Sequence, residues 1–294
     1  MASMRDIKRR KNSVQSTQQI TKAMKLVSTV KLQRAKNVAE HSKMYFNAMF
    51  TTVSSILAKS SNISHPYLNT AEGNKKAVVV ITSNRGLAGG YNTNVTKLIT
   101  KDERFSTEDT IIYAIGKKGK DTLARKGYEI AADYCEVINA PLYTDAAEIC
   151  DKLLEAFKNG EISEIYLAYT VFKNTVSQIP TMLKLLPVDL EAAKGVKDIE
   201  EDASESKAIM NFEPEEEEAL DLIIPKYVTS LIYGAMIEAV ASEQTARLTA
   251  MDNATKNAEE MMKKLELISN RARQAKITTE LTEIVNGAEQ VNNL

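Results

Sequence analysis

Lys76-Ala77-Val78-Val79-Val80-Ile81-Thr82-Ser83 opens the stretch that decides the fold, and Asn84-Arg85-Gly86-Leu87-Ala88-Gly89-Gly90 completes it. A short run of valines and isoleucine reads as a strand buried on both faces, as parallel strands are. The glycine-rich segment after it is a turn, and Tyr91 to Thr100 can start a helix. The pattern then repeats. Thr110 to Ile115 is a second apolar run, followed by a helical stretch from Lys117 to Lys126. Asp145 to Lys158 is an amphipathic helix ended by Asn159 and Gly160. Ile162 to Phe172 and Gln178 to Leu186 are strand-like, the second closed by Pro187. This alternation predicts an α/β domain with a mostly parallel, Rossmann-like sheet over residues 74–190.

On either side of that domain the period changes. From Ser3 to Ser60 there is neither Pro nor Gly, and apolar residues fall at Ile7, Val14, Ile20, Met24, Val27, Val38 and Phe46. That spacing is helical. A helix of about 55 residues within the segment 1–60 would be about 80 Å long, more than a small domain needs. His65, Pro66, Asn69 and Gly73 end it. Residues 191–219 are acidic and polar and read as a linker or foot. Over 220–294 the helical pattern returns, with Pro225 in its first turn and only Gly234 and Gly287 as interruptions. Ala235, Ala239, Ala246, Ala250 and Ala254 form a stripe of small residues that would let a second helix come close. The expected architecture is a long antiparallel coiled coil of N- and C-terminal helices with the α/β domain inserted between them. The heptad match is imperfect.

The net charge of −1 conceals a polarity. Arg5, Lys8, Arg9, Arg10, Lys11, Lys22, Lys25, Lys31, Arg34 and Lys36 face a single acid, Asp6, in the first 36 residues. Glu215 to Glu218 reverse the sign further on. No apolar run reaches the ~18 residues of a membrane span, and neither a secretory signal nor a transit peptide is expected. Cys135 and Cys150 read as buried free thiols. His41 and His65 read as surface residues without metal-ligand spacing.

Chemistry is hard to assemble. The turn after Ser83 lacks the Gly-Lys-Ser/Thr of a phosphate loop and the G-x-G-x-x-G of a dinucleotide site. Gly116 to Lys120 is a basic strand-to-helix turn, read as a solvated helix start rather than a phosphate site. Two distant histidines make no catalytic triad. The acids at Glu213 to Glu218 lie in a loop without defined geometry. No catalytic, cofactor or metal residue is expected. The basic helix could serve a nucleic acid or an anionic membrane, but interleaved aromatics are lacking before Tyr45 and the apolar face is narrow. An acidic protein surface suits it better. A nucleotide-dependent enzyme and a nucleic-acid-binding coiled coil are the rival readings.

Three segments together resemble the ATP synthase gamma family. They are Ile20-Thr21-Lys22-Ala23-Met24-Lys25-Leu26-Val27, Ser83 to Asn92 with its R-G-L-x-G-G-x-N turn, and Ile277-Thr278-Thr279-Glu280-Leu281-Thr282-Glu283-Ile284-Val285-Asn286-Gly287-Ala288. Ala241 to Arg247 with Ala250 and Met251 adds to them. Gln290 departs from the small or basic residue usual in the last signature. The resemblance implies a non-catalytic rotor shaft, with the helix pair turning inside a hexamer of alternating alpha and beta subunits. It implies beta-subunit contacts at Lys8, Arg9, Lys22, Met24 and Lys25 and at Arg271, Arg273, Gln274, Thr278 and Glu280. It also implies an epsilon subunit and a membrane ring of c subunits as partners, the ring touched by Phe212, Glu213 and Pro214. The place implied is the cytoplasmic face of a bacterial membrane, reached only through the complex, with H⁺ or Na⁺ as the coupling ion.

Overall fold

A computed structural model describes residues 4–59, 65–69, 75–188 and 216–292. Phe212, Glu213, Pro214 and Gln290 lie outside the described residues or side chains. The chain forms two compact units, Met1–Ser28 with Arg247–Leu294, and Thr29–Ala246. Two long helices belong to both: α1 (Met4–Lys59) and α5 (Glu216–Asn292).

The second unit holds a five-stranded sheet. Its strands are β1 (Lys75–Ile81), β2 (Thr110–Ile115), β3 (Glu129–Asp133), β4 (Ile162–Phe172) and β5 (Gln178–Leu186). They lie in the order β3-β2-β1-β4-β5, all parallel except β5, which returns antiparallel to β4. The helices between are α2 (Tyr91–Thr100), α3 (Lys117–Ala124) and α4 (Tyr143–Lys158). Because successive side chains of a strand point to opposite faces, β1 feeds two cores. Ala77, Val79 and Ile81 join Ile149, Leu153 and Phe157 of α4 and Leu220, Ile224, Val228 and Ile232 of α5. Val78 and Val80 join Val95 and Ile99 of α2 and Leu123 of α3. The unbroken valine run is what a central strand covered on both sides requires.

Several sequence expectations change here, the loop reading of Glu216 to Glu218 among them, since these residues open α5. Strand β3 was not anticipated: its residues alternate exposed and half-buried at the sheet edge, so it lacks an apolar run. Pro225 is interior to α5 rather than in its first turn, since the helix begins at Glu216. The cost of an interior proline, about 3 kcal/mol, is offset by burial of Leu220, Ile224 and Val228 around it, and the Cys150 thiol donates to the Pro225 carbonyl at 3.6 Å. His65 is buried rather than on the surface. Its Nδ1 accepts the Tyr67 N–H at 3.2 Å, its Nε2 stands 3.5 Å from Asp221 Oδ1, and its ring packs on Tyr67.

Part of α5 also has the length and apolarity of a membrane span, contrary to the sequence reading. Its apolar side chains are spent inside the protein: Ile224, Val228, Ile232, Ala235, Met236 and Ala239 all lie in the sheet core. Two of the small residues, Ala235 and Ala239, therefore serve the sheet. Gly234 beside them meets the ring of Phe46 on α1, where an added Cβ would stand 3.4 Å away.

Candidate functional site

In the first compact unit the two helices run antiparallel, and polar pairs join them. Lys11 Nζ lies 2.7 Å from Glu266 Oε1, Gln18 Nε2 donates to Glu259 Oε1 at 3.1 Å, and Thr21 and Thr255 share a hydroxyl bond of 2.8 Å. Lys25 Nζ donates to Asp252 Oδ1 at 2.6 Å. The burial pattern is a heptad on both helices. On α1, Ile7, Val14, Thr21 and Ser28 recur as one seam position and Lys11, Gln18 and Lys25 as the other, all buried or half-buried. On α5, Met251, Ala258, Leu265 and Ala272 alternate with Leu248, Thr255, Met262 and Ser269. The sequence hides this regularity because half of the α1 seam is Lys, Gln and Lys.

The register puts Met4 opposite the neighbourhood of Arg273, so from Gln274 onward α5 runs past the described start of α1. Among the described residues this leaves about 28 Å of α5 with no facing helix. Ile277, Leu281, Ile284 and Val285 are all about half exposed or more on it. Their spacing of four, seven and eight residues from Ile277 makes one apolar stripe. In the sequence these residues stand inside the Ile277 to Ala288 segment, where the same helical spacing can be counted.

Most of the residues singled out on the helices are exposed: Lys8, Arg9, Lys22, Arg271, Arg273, Gln274, Thr278 and Glu280. Several of these make local contacts, Arg9 Nη2 lying 3.9 Å from Asp6 Oδ1. Lys276 pairs with Glu280 at 3.4 Å, and the Thr278 hydroxyl donates to the Gln274 carbonyl. Met24 and Lys25 are half-buried, and Lys25 is committed to the seam. Lys25 together with Lys256 holds the Asp252 carboxyl down to about 2, the Lys25 hydrogen bond contributing most.

In the α/β unit the glycine-rich turn lies at the carboxyl end of β1, beside the point where the strand order reverses, the usual place for a ligand. Here the chain fills it with itself. Asn92 Oδ1 accepts from both the N–H and the hydroxyl of Ser83, at 2.9 and 3.0 Å. Asn84 Nδ2 donates to the Cys135 carbonyl at 2.6 Å. At the start of α3, the N–H groups that could cradle an anion are taken: Lys117 by Asn84 Oδ1, Lys118 by the Ser83 carbonyl, Gly119 by Thr82 Oγ1. The basic turn at Gly116 to Lys120 is thus capped by the protein rather than by solvent. Tyr91, at the end of the same loop, donates its hydroxyl to the Ala239 carbonyl of α5. The thiols of Cys135 and Cys150 are free and both pushed up to about 11, by burial above all. Neither is activated as a nucleophile.

One unit is an antiparallel helix pair and the other a doubly wound α/β unit, and among the described residues the N–H groups at the glycine turn are taken by the chain itself. The comparisons give the family. A family model described as ATP synthase matches residues 3–291. The ATP synthase gamma chain of Lachnoclostridium phytofermentans is 62% identical over 99% of this chain and 100% of its own length. A sodium-ion-specific gamma chain from Acetobacterium woodii is 43% identical over 98% and 99%. A chain of the Euglena gracilis mitochondrial ATP synthase shares the fold, with a TM-score of 0.66 at 20% identity, covering 98% of this chain and 94% of that one. The chain belongs to the ATP synthase gamma-chain family.

Proposed function

We propose that this chain is the central rotor shaft of an F-type ATP synthase and does no chemistry itself. It turns inside a hexamer of alternating alpha and beta subunits and couples ion-driven rotation of a c-subunit ring to the nucleotide state of the catalytic sites. The observation that carries this reading is the lone end of α5 with its exposed stripe of Ile277, Leu281, Ile284 and Val285. A single helix with an apolar face in water calls for an apolar sleeve around it. A helix pair has no three-fold symmetry. It therefore touches three chemically identical beta subunits differently, and differential contact is what biases each site toward a different state.

Under this reading Lys8, Arg9, Lys22 and Met24 on α1 and Arg271, Arg273, Gln274, Thr278 and Glu280 on α5 meet the beta subunits. The half-buried Lys25 belongs with them only through its place in the seam. Phe212, Glu213 and Pro214 meet the c ring, and the α/β unit holds an epsilon subunit. The protein sits at the cytoplasmic face of a bacterial membrane through the complex and binds no nucleic acid. The self-filled turn at Ser83 to Asn92 supports a mechanical role over a nucleotide-binding one.

The test is ATPase activity of cognate alpha and beta subunits with and without this chain. A stable complex that hydrolyses ATP much faster with the chain inside, and loses that gain when the chain is cut after Arg273, is the expected result. A chain that neither joins the subunits nor changes their activity overturns the proposal.

A further inference from the structure

The seam of the helix pair is unusual in the side chains it carries. At the seam positions where a stable coiled coil carries leucine, α1 carries Lys11, Gln18 and Lys25, and Thr21 and Ser28 occupy the alternate position. Each of the first three reaches across to a carboxylate on α5, and Thr21 reaches a hydroxyl. As the α1 number rises by seven, three and four, the α5 number falls by seven, four and three, so the four pairs describe one register.

We propose that this polar ladder is a register lock: Lys11 and Lys25, through Glu266 and Asp252, fix the axial alignment of the two helices. An apolar heptad seam looks nearly the same after sliding by one repeat, about 10 Å along the axis. This one does not. Sliding one way gives Lys25 the carboxylate of Glu259 but sets Lys11 against Arg273, a like charge. Sliding the other way gives Lys11 the carboxylate of Glu259 but leaves Lys25 facing none. Only the observed register gives both lysines an acid and Thr21 a hydroxyl partner. Polar seam residues are the recognised means of specifying register at some cost in stability. Lys11, Lys25, Glu266 and Asp252 are positioning residues. Their consequence for coupling rests on the rotor reading, because a shaft that slips axially cannot keep its contacts in phase, but the lock itself does not depend on it.

The experiment uses the full-length chain. Thr21 and Thr255 are replaced by cysteine, since their oxygens touch, to report the native register by disulfide formation. Thr21→Cys with Met262→Cys, or with Leu248→Cys, reports a slip of one heptad either way. Into each reporter are placed Lys25→Asp, Asp252→Lys, both together, and the conservative Lys25→Arg. The single reversals are expected to lower native-register disulfide about fivefold, with slipped disulfide rising, while the double reversal and Lys25→Arg restore it. Single reversals that leave the native yield unchanged overturn the lock. So does a double reversal that fails to restore it, whether the helices have slipped or parted. The same variants assembled with alpha and beta subunits should lose and regain ATPase stimulation in parallel. If the disulfide pattern follows the charges while even the unmodified chain stimulates no ATPase, the lock stands and the rotor reading falls.

Discussion

Gly116 is packed so tightly against Thr82 that a Cβ on it would stand 2.0 Å from the Thr82 carbonyl oxygen. Its φ of +110° is also one that side chains rarely adopt. Here the carboxyl ends of β1 and β2 are stitched together, with Thr82 N–H donating to the Ile115 carbonyl and Thr82 Oγ1 to that of Gly116. Gly116→Ala is expected to destabilise the fold by more than about 3 kcal/mol, from clash and backbone strain together. Gly86→Ala in the neighbouring turn, where an added Cβ meets nothing within 4 Å, should cost less than about 1 kcal/mol. Urea unfolding of the two variants checks the contrast.

Glu238 on α5 has one carboxylate oxygen buried without a hydrogen-bond partner, and burial holds its carboxyl above the usual range against a single backbone bond from Phe172. A raised carboxyl binds its proton more tightly in the folded state. Its stabilising effect is full below the unfolded value near 4.5 and is lost as pH rises through the folded value. Glu238→Gln, which mimics the protonated form, should therefore gain about 1 kcal/mol or more over the parent at pH 8 and nothing at pH 4. Denaturant midpoints at the two pH values would show it. The phenol of Tyr169, raised by burial first and then by Glu238, should titrate at lower pH in the same variant.

Glu164 behaves in the opposite way. It is mostly buried at the start of β4, yet Lys184 at 2.7 Å, the Tyr166 hydroxyl at 3.1 Å and Lys76 at 3.4 Å outweigh the burial and hold its carboxyl below the usual range. A depressed carboxyl stabilises above its unfolded value and loses that effect as pH falls through the folded one. Glu164→Gln should cost about 1–2 kcal/mol at pH 7, with the gap to the parent closing as pH falls below the ordinary carboxylate value of 4.5 and through the folded one. Thermal melts across that range test both the sign and the window.

Replacing Leu281 and Ile284 together by serine should leave the melting of the free chain almost unchanged, within about 0.5 kcal/mol, because both are exposed on the lone end of α5. In the assembled complex the same change should lower ATPase activity severalfold by roughening the face that needs a sleeve. A clearly lower melting point of the free chain would show that the stripe already packs within the chain, and unchanged ATPase activity in the complex would show that it needs no sleeve.

The residues that could be read directly were those whose pattern is local. The valines of β1, the helical spacing of α1 and α5 and the turn residues around Gly86 announce their own structure, because a strand buried on both faces and a two-faced helix each need a particular order of side chains. The edge strand β3 announces nothing, since half its residues meet water and its shape comes from pairing with β2.

The sequence by itself determined two long helices flanking an α/β domain, and the motifs in it carried the family. Only the tertiary structure decided what the polar residues do. It turned His65 inward onto Tyr67 and Asp221. It gave the α3 N–H groups to Thr82, Ser83 and Asn84 instead of an anion. It also set Lys25 against Asp252 in a seam where the heptad alone would ask for leucine. The reason is physical: an apolar side chain has one preference, to leave water, and so can be placed from its period, whereas a polar group is satisfied by whichever partner the fold brings within hydrogen-bonding distance.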